Sequence, residues 1–278
     1  MSNKPSIKTK DFSVSKEEFY LEYDKEYDLY KTSPVPENLN KYYESEDYIS
    51  HTDSKKGLIE KLYQLAKKIT LKSKERLLEN LNITSDKTIL DIGCGTGSFL
   101  EELKKNDWKT IGVEPNFLAK EKTIKKGIRC FNETKAIHDK FSIITMWHVL
   151  EHVTDLQKQF SELHRLIDSN GKVIIAVPNF KSYDAKFYKK YWAAFDVPRH
   201  IWHFSESAIS KLAEENNFKL IKTKPMWFDS FYVSLLSEKY KSGSINYLRA
   251  FSVGLFSNLK AIKNSQFSSK IYILEPKN

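Results

Sequence analysis

Thr88-Ile-Leu-Asp-Ile-Gly-Cys-Gly-Thr-Gly97 is the stretch that decides the fold of this 278-residue chain. Its apolar first half predicts a buried parallel strand, and its second half places Gly93, Gly95 and Gly97 at alternate positions. Glycines permit a sharp turn and bring the backbone close to a ligand that any Cβ would hold away. Ser98 is then expected to cap a helix. The stretch therefore predicts a strand, a ligand-binding turn and a helix.

Two carboxylates accompany this turn. Asp91 lies inside the strand, and a second apolar run, 110–113, ends on Glu114. In a doubly wound sheet the ligand lies over the carboxyl ends of the strands, where an acid about 20 residues past the glycines can accept hydrogen bonds from ribose hydroxyls. The dinucleotide pattern Gly-x-Gly-x-x-Gly would need a glycine at Ser98. The spacing therefore argues against a pyrophosphate ligand.

The turn and the second acid resemble the first two motifs of class I S-adenosylmethionine-dependent methyltransferases. Those motifs are an acid-x-Gly-x-Gly-x-Gly turn and an acid that ends the next strand. The resemblance implies S-adenosylmethionine as cofactor, with the backbone of Met146 and Trp147 closing the methionine side. The residues expected to bind it at the turn are Asp91, Gly93, Cys94, Gly95, Gly97 and Glu114. The adenine contact stays unassigned, because Asn132 and Glu133 replace the clear acid that often follows the third strand.

Strands and helices alternate through most of the chain, which predicts an α/β fold with a parallel sheet. The resemblance implies that this fold contains a Rossmann-like, doubly wound, mostly parallel seven-stranded sheet with an antiparallel last strand. A helical stretch, 229–262, would be an insertion before that strand. Its apolar stripe is expected to face the core, with a membrane-surface or dimer helix as alternatives. The stripe runs through Leu248, Phe251, Leu255, Leu259 and Ile262.

Residues 1–53 form an acidic, tyrosine-rich segment that we expect to pack as a lid, with plain surface packing as the alternative. In the resembled methyltransferases an N-terminal extension often closes over the cofactor, which makes Tyr48 and His51 candidate cofactor contacts. Residues 54–278 would be the methyltransferase domain. Substrate-lid elements are expected at 180–204 and 229–262, although the aromatic side chains of 180–204 equally fit a hydrophobic plug.

A second informative motif, Trp147-His-Val-Leu-Glu-His-Val153, follows the apolar run 141–146. It resembles the strand-4 motif of small-molecule methyltransferases related to the ubiquinone-pathway O-methyltransferases. His148-x-x-Glu151-His152 also matches the zinc motif of inverted metallopeptidases. A peptidase would leave the glycine turn unexplained, and a zinc site needs both histidines on an established helix plus a third ligand. We therefore expect no metal here.

The resemblance implies methyl transfer from S-adenosylmethionine to a hydroxyl or an amine of a small molecule. A hydroxyl acceptor needs a base, and histidine is the side chain most readily tuned for this at pH 7. His148, at the carboxyl edge of strand four, and His200, in the aromatic loop, are the candidate catalytic residues. Structural roles for both are the alternative, and His152 and His203 fit either role. A non-catalytic binding or assembly module is the competing function.

The net charge of +9 argues little for a nucleic-acid partner, because the positive charge is scattered lysine. Residues 17–48 hold ten carboxylates and three lysines, a local charge of −7, which leaves +16 elsewhere. No Asn/Asp-Pro-Pro-aromatic tetrad follows strand four, which disfavours an RNA methyltransferase. Cys94 and Cys130 show no metal spacing, and no apolar stretch could span a membrane. We expect a cytoplasmic protein; its oligomeric state is open.

Overall fold

The computed structural model describes residues 6–43, 58–81 and 86–277, so that Tyr48 and His51 lie outside the described part. Its strands are β1 (Ile7–Lys10), β2 (Glu18–Asp24), β3 (Leu29–Ser33), β4 (Thr88–Ile92), β5 (Lys109–Val113), β6 (Arg129–Phe131), β7 (Phe141–Trp147), β8 (Ile167–Pro178), β9 (Trp202–His203), β10 (Phe218–Pro225) and β11 (Ser269–Pro276). Its α-helices are α1 (Leu58–Glu79), α2 (Ser98–Lys104), α3 (Phe117–Lys125), α4 (Leu156–Leu166), α5 (Tyr183–Tyr188), α6 (Glu206–Glu215), α7 (Asp229–Ser242) and α8 (Tyr247–Asn264).

A seven-stranded sheet lies at the centre, in the order β10-β11-β8-β7-β4-β5-β6. The pairs from β8 to β6 are parallel, whereas β11 is antiparallel to both of its neighbours. The predicted mostly parallel sheet with an antiparallel last strand is therefore confirmed. The strands β4 and β7 are adjacent, with Ile92 opposite Met146. This pairing brings the ends of the two sequence motifs to one edge of the sheet.

Helix α1 is one continuous helix of 22 residues that precedes β4. The chain between Ile69 and Leu77 contains neither glycine nor proline, so that nothing in it interrupts the helix.

The N-terminal residues form a second, four-stranded antiparallel sheet with the order β1-β2-β3-β9. Its last strand comes from the segment 180–204, since Tyr30 pairs with His203. Aromatic residues of that segment, Tyr188, Trp192 and Phe195, are buried and pack with residues of the N-terminal sheet and of α7 and α8. The aromatic segment is thus a packed second core, as the plug alternative expects, and the N-terminal sheet is built onto it.

The insertion before β11 consists of α7 and α8, and the expected orientation of the α8 stripe is wrong. Large apolar side chains of α8 point away from the protein and are 40% to 79% exposed. We call them the outward face of α8: Tyr247, Leu248, Phe251, Leu255, Phe256, Leu259 and Ile262. No helix of the described residues combines the length and the apolar character needed to cross a membrane.

The buried side of α8 explains this orientation. It carries small or short side chains, namely Ala250, Val253, Gly254, Ser257, Asn258 and Ala261. A Cβ on Gly254 would lie 2.8 Å from Cδ1 and 3.0 Å from Cα of Phe231 in α7. The two helices therefore approach so closely that larger side chains do not fit between them, which leaves the large ones outside.

Candidate active site

The glycine turn after β4 has a backbone that glycine alone adopts readily. Gly93, Gly95 and Gly97 have φ values of 71°, 56° and 71°. A Cβ on Gly93 would lie 2.4 Å from the side chain of Val149, whereas a Cβ on Gly95 would meet nothing within 4 Å. Gly97 is the N-cap of α2, and Ser98 makes no capping bond, contrary to prediction. The turn is thus packed at Gly93 and open at Gly95, where a ligand can approach its backbone.

Glu114 lies directly beside this turn. Its Oε2 accepts a hydrogen bond from the Gly95 N–H at 2.9 Å, and its Oε1 accepts one from the Asn116 N–H at 2.8 Å. A carboxylate offers about four acceptor positions, so both oxygens can accept a further hydrogen bond. The side chain is therefore fixed by the backbone and ready to bind a pair of hydroxyl groups.

Asp91 lies beneath the turn and is nearly fully buried. The Thr145 hydroxyl of β7 donates a hydrogen bond to its Oδ1 at 2.6 Å. Burial raises the pKa of Asp91 to about 6. A carboxyl group so placed gains from a cation nearby, because opposite charge favours its ionised form.

Lys74 of α1, which the sequence analysis did not identify, lies in the same region. The Nζ of Lys74 lies 4.1 Å from the centroid of the Trp147 ring, and burial lowers the pKa of Lys74 to about 8, against the attraction of Asp91 and Asp229. The Nε1 of Trp147 is buried without a hydrogen-bond partner among the described residues. Both side chains line a cavity of about 270 Å³. This cavity offers a cation and an indole N–H to an anionic group.

His148 follows β7 with a positive φ of 57° and is held between two carboxylates. Its Nδ1 lies 3.3 Å from Oε1 of Glu151, and its Nε2 lies 3.1 Å from Oδ2 of Asp229 at the start of α7. Burial opposes protonation, but these two partners outweigh it and raise the pKa of His148 to about 10. In this arrangement His148 is an imidazolium at neutral pH, which cannot accept a proton.

Two further histidines, His152 and His200, lie close to the Glu151 carboxylate. Ligand atoms of Glu151, His152 and His200 all lie within 4.8 Å of one another. The Nδ1 of His200 lies 2.9 Å from the Ala194 carbonyl, and that of His152 lies 3.0 Å from the Arg199 carbonyl. Since carbonyl oxygens only accept, each Nδ1 carries a proton, and each Nε2 is left for another partner.

The electrostatics of this cluster favour the neutral form of His152. Burial and the neighbouring His200 lower the pKa of His152 to about 4. Glu151 is 1% exposed, and its Oε2 is buried without a hydrogen-bond partner in the described part of the chain. Tyr43 places its hydroxyl 3.0 Å from Nδ1 of His152. The cluster therefore offers a carboxylate oxygen and two imidazole nitrogens that could take a proton or hold a divalent cation.

The metallopeptidase pattern does not assemble in this geometry. The first histidine of the pattern, His148, forms ion pairs with Glu151 and Asp229. The third member of the cluster with Glu151 and His152 is instead His200, which lies 48 positions after His152 in the chain. His203 is also absent from the cluster, because its Nε2 lies 3.0 Å from the Thr32 hydroxyl.

The structure brings most of the sequence-predicted residues to one region. The glycine turn, Glu114 and Asp91 adjoin at the ends of β4 and β5, and Met146 and Trp147 end the neighbouring strand β7. Met146 is fully buried, so that only its backbone is available. Cys94 packs under the turn, with its Sγ 3.7 Å from that of Cys130. Sequence reasoning missed Lys74 and Asp229, for which no local motif exists, and it gave Glu151 no role although the motif contains it.

A parallel sheet with a glycine turn after one strand and an acid at the end of the neighbouring strand defines a nucleotide-cofactor-binding α/β protein. Residues 48–223 match the family described as "Methyltransferase domain". The chain therefore belongs to this methyltransferase family, and it is an S-adenosylmethionine-dependent methyltransferase.

Similar proteins agree with this assignment. A ubiquinone biosynthesis O-methyltransferase from Pelagibacter ubique is 25% identical over 208 residues, which are 67% of this chain and 81% of that protein. The magnesium protoporphyrin IX methyltransferase of Synechocystis PCC 6803, solved with bound SAH, has a TM-score of 0.55 at 16% identity, covering 85% of this chain and 97% of that one. The geranyl diphosphate C-methyltransferase of Streptomyces coelicolor A3(2) has a TM-score of 0.53 at 14% identity, covering 81% and 86%. The two structures share the fold.

Proposed function

We propose that this methyltransferase moves the methyl group of S-adenosylmethionine to a hydroxyl group of a small molecule. The observation that carries the proposal is the cluster of Glu151, His152 and His200 at the carboxyl end of β7, beside the glycine turn. Val149 of the same segment packs on Gly93, which supports a short path between cofactor and cluster. The O-methyltransferase name of the Pelagibacter relative supports a hydroxyl acceptor.

The described residues fit the cofactor group by group. Glu114 would accept hydrogen bonds from the ribose hydroxyls, and the open backbone at Gly95 would lie against the nucleoside. Lys74 and the unpartnered Trp147 N–H would bind the carboxylate of the methionine part, and Asp91 would attract its ammonium group. S-adenosylmethionine supplies a methyl group that is already activated by its sulfonium, so the protein has mainly to align the acceptor and exclude water.

The remaining work is to remove the proton of the acceptor hydroxyl. His200 is our candidate base, because it belongs to the cluster and its Nδ1–H donates to a carbonyl, which leaves Nε2 as the nitrogen that can accept a proton. His148 fits this role less well, because its two carboxylate partners keep it protonated. We assign it the positioning of Glu151 instead. The segments 6–43, 180–204 and 229–262 would form the walls on the acceptor side.

Turnover with labelled S-adenosylmethionine and a panel of hydroxyl-bearing and amine-bearing metabolites tests the function. We expect label transfer to at least one hydroxyl compound and release of S-adenosylhomocysteine. Transfer to amines alone would overturn the hydroxyl assignment. Binding of S-adenosylmethionine without transfer to any member of the panel would favour the non-catalytic binding module.

Glu114→Ala is expected to weaken S-adenosylmethionine binding by about 10-fold to 150-fold, measured by titration calorimetry. The physical reason is the loss of a charged acceptor for the ribose hydroxyls, at about 1.5–3 kcal/mol for a hydrogen bond to a charged group. Glu214→Ala, an exposed carboxylate of α6, is the matched control and should bind like the wild type. An unchanged affinity in a folded Glu114→Ala protein would remove Glu114 from the site.

A further inference from the structure

The outward face of α8 is large for a protein surface. Its three aromatic side chains alone expose on the order of 340 Å² if each full side chain counts for ~200 Å², and its four aliphatic side chains add to this area. Leu248, at 79%, and Ile262, at 61%, are the most exposed of them. The largest apolar patch of a typical monomer is about 300–600 Å², and larger patches mark sites of interaction with a protein or a membrane.

The outward face of α8 is exposed because of the way the helix packs, and not because of the rotamer of a single side chain. Leu248, Phe251, Leu255, Leu259 and Ile262 follow one another at intervals of three and four residues, so that they form a single stripe along the helix. The opposite side is closed against α7 by the contact of Gly254 with Phe231. Rotation of α8 to bury the stripe would put these large side chains into that contact.

The charge around the stripe is positive. Helix α8 carries Arg249, Lys260 and Lys263 and no carboxylate. In α7 the two carboxylates are both engaged by cations, Asp229 by His148 and Glu238 by Arg249. Lys239 and Lys241 at the end of α7 are exposed. The insertion therefore presents an apolar stripe flanked by lysines, with its carboxylates already neutralised inside the protein.

We propose that α8 docks the protein on an anionic lipid bilayer, with the helix lying in the plane of the interface. A helix with aromatic and aliphatic residues on one face and lysines beside it has the composition of such interfacial helices. Each lysine close to an anionic surface adds attraction that falls with salt. At ~1.5 Å per residue the 18 residues of α8 span about 27 Å, which is enough for a single docking surface.

The positive charge beside the outward face of α8 favours a lipid bilayer, and not a second copy of this chain, as the partner of that face. Two outward faces packed against each other would bring lysines against lysines, and α8 has no carboxylate to pair with them. An anionic headgroup layer neutralises the same lysines.

Flotation with vesicles tests this docking. We expect the 278-residue protein to float with vesicles of phosphatidylcholine containing about 30% phosphatidylglycerol, and at least tenfold less with phosphatidylcholine alone. Binding should fall severalfold at about 0.5 M NaCl, because salt screens the lysines. Equal binding to both vesicles or to neither would overturn the proposal.

Variants of exposed residues test whether α8 is the segment that binds the vesicles. The double variant Leu248→Glu, Phe251→Glu should bind at least tenfold more weakly, and Lys263→Glu about fivefold more weakly. Ile124→Glu, at a 48% exposed position of α3, is the matched control and should float like the wild type. Thermal unfolding midpoints close to the wild-type value check that the variants are folded, because all of these positions are exposed.

Two outcomes would contradict the lipid assignment. The first is unchanged flotation of the double variant. The second is a dimer in light scattering that the double variant converts to a monomer, since a second copy would then cover the outward face of α8.

Discussion

His200→Ala should slow methyl transfer by about 10²-fold to 10⁴-fold, while the affinity for S-adenosylmethionine stays within about twofold. The physical reason is the loss of a positioned base for the acceptor hydroxyl, whose own pKa lies far above neutrality. His200 can serve because it lies in the cluster with Glu151 and His152, and because its Nδ1–H is fixed by the Ala194 carbonyl, which leaves Nε2 to accept a proton. Single-turnover assays at saturating cofactor measure the chemical step.

The pH dependence separates a base from a packing residue. As the pH rises, more of the acceptor hydroxyl ionises without help, so the deficit of His200→Ala should shrink. A residue that only supports the fold would give a deficit that does not depend on pH. His138→Ala, an exposed histidine, is the matched control and should be as active as the wild type.

His148→Gln is expected to lose less activity than His200→Ala. His148 is held as an imidazolium by Asp229 and Glu151, so its contribution is to orient Glu151. A larger loss in His148→Gln than in His200→Ala would overturn this order of roles. Metal analysis of protein purified without added metal completes the test, because a bound ion would make His200 a ligand of that ion and not a free base.

Arg199→Met should lower the free energy of unfolding by about 3–5 kcal/mol, measured by urea denaturation. The Arg199 side chain is 1% exposed and binds two carboxylates, with Nη2 3.0 Å from Oδ1 of Asp11 and 2.6 Å from Oδ1 of Asp196. It also donates to the Tyr42 carbonyl at 3.0 Å. Its removal leaves the fully buried Asp11 carboxylate without its charged partner, and an unpaired buried charge is costly.

The double variant Arg199→Met, Asp11→Asn should recover part of this loss, because the fully buried position 11 then carries no charge. Arg129→Met, at an exposed arginine, is the control and should unfold close to the wild type. A wild-type urea midpoint in Arg199→Met would show that the ion pair adds nothing to stability.

Lowering the pH should weaken the ion pair between Asp11 and Arg199. Burial of Asp11 opposes its ionisation, but Arg199 and backbone N–H groups of residues 13–15 hold the pKa of its carboxyl well below the usual range. The stabilisation is therefore fully present above the unfolded-state pKa of about 4. It is lost as the pH falls below that value toward the lower folded-state pKa.

Local sequence patterns were sufficient for the sheet and for the cofactor side of the site. An apolar run followed by Gly93, Gly95 and Gly97 has few structural solutions, because the positive φ values and the close packing at Gly93 both require glycine. The position of Glu114 follows equally well, since the end of β5 must lie beside the end of β4 in a parallel sheet.

Contacts between distant parts of the chain could not be predicted from local sequence patterns. Lys74 reaches Trp147 from a helix that has no motif, and Asp229 reaches His148 from an insertion. The periodicity of α8 predicted an apolar stripe correctly but carried no information about its direction. That direction depends on the small residues of the other side, where Gly254 meets Phe231. A stripe of large residues is not by itself a core face when the opposite side is made of smaller ones.

The pairing of Asp11 with Arg199 also sets an order of events during synthesis. The two residues are 188 positions apart, so that Asp11 leaves the ribosome about 10–40 s before Arg199 at ~5–20 residues per second. Strand β3 is likewise synthesised long before its partner strand β9. Residues 6–33 are therefore synthesised well before they can reach these native contacts, which form only after the glycine turn and the strands around it have been made.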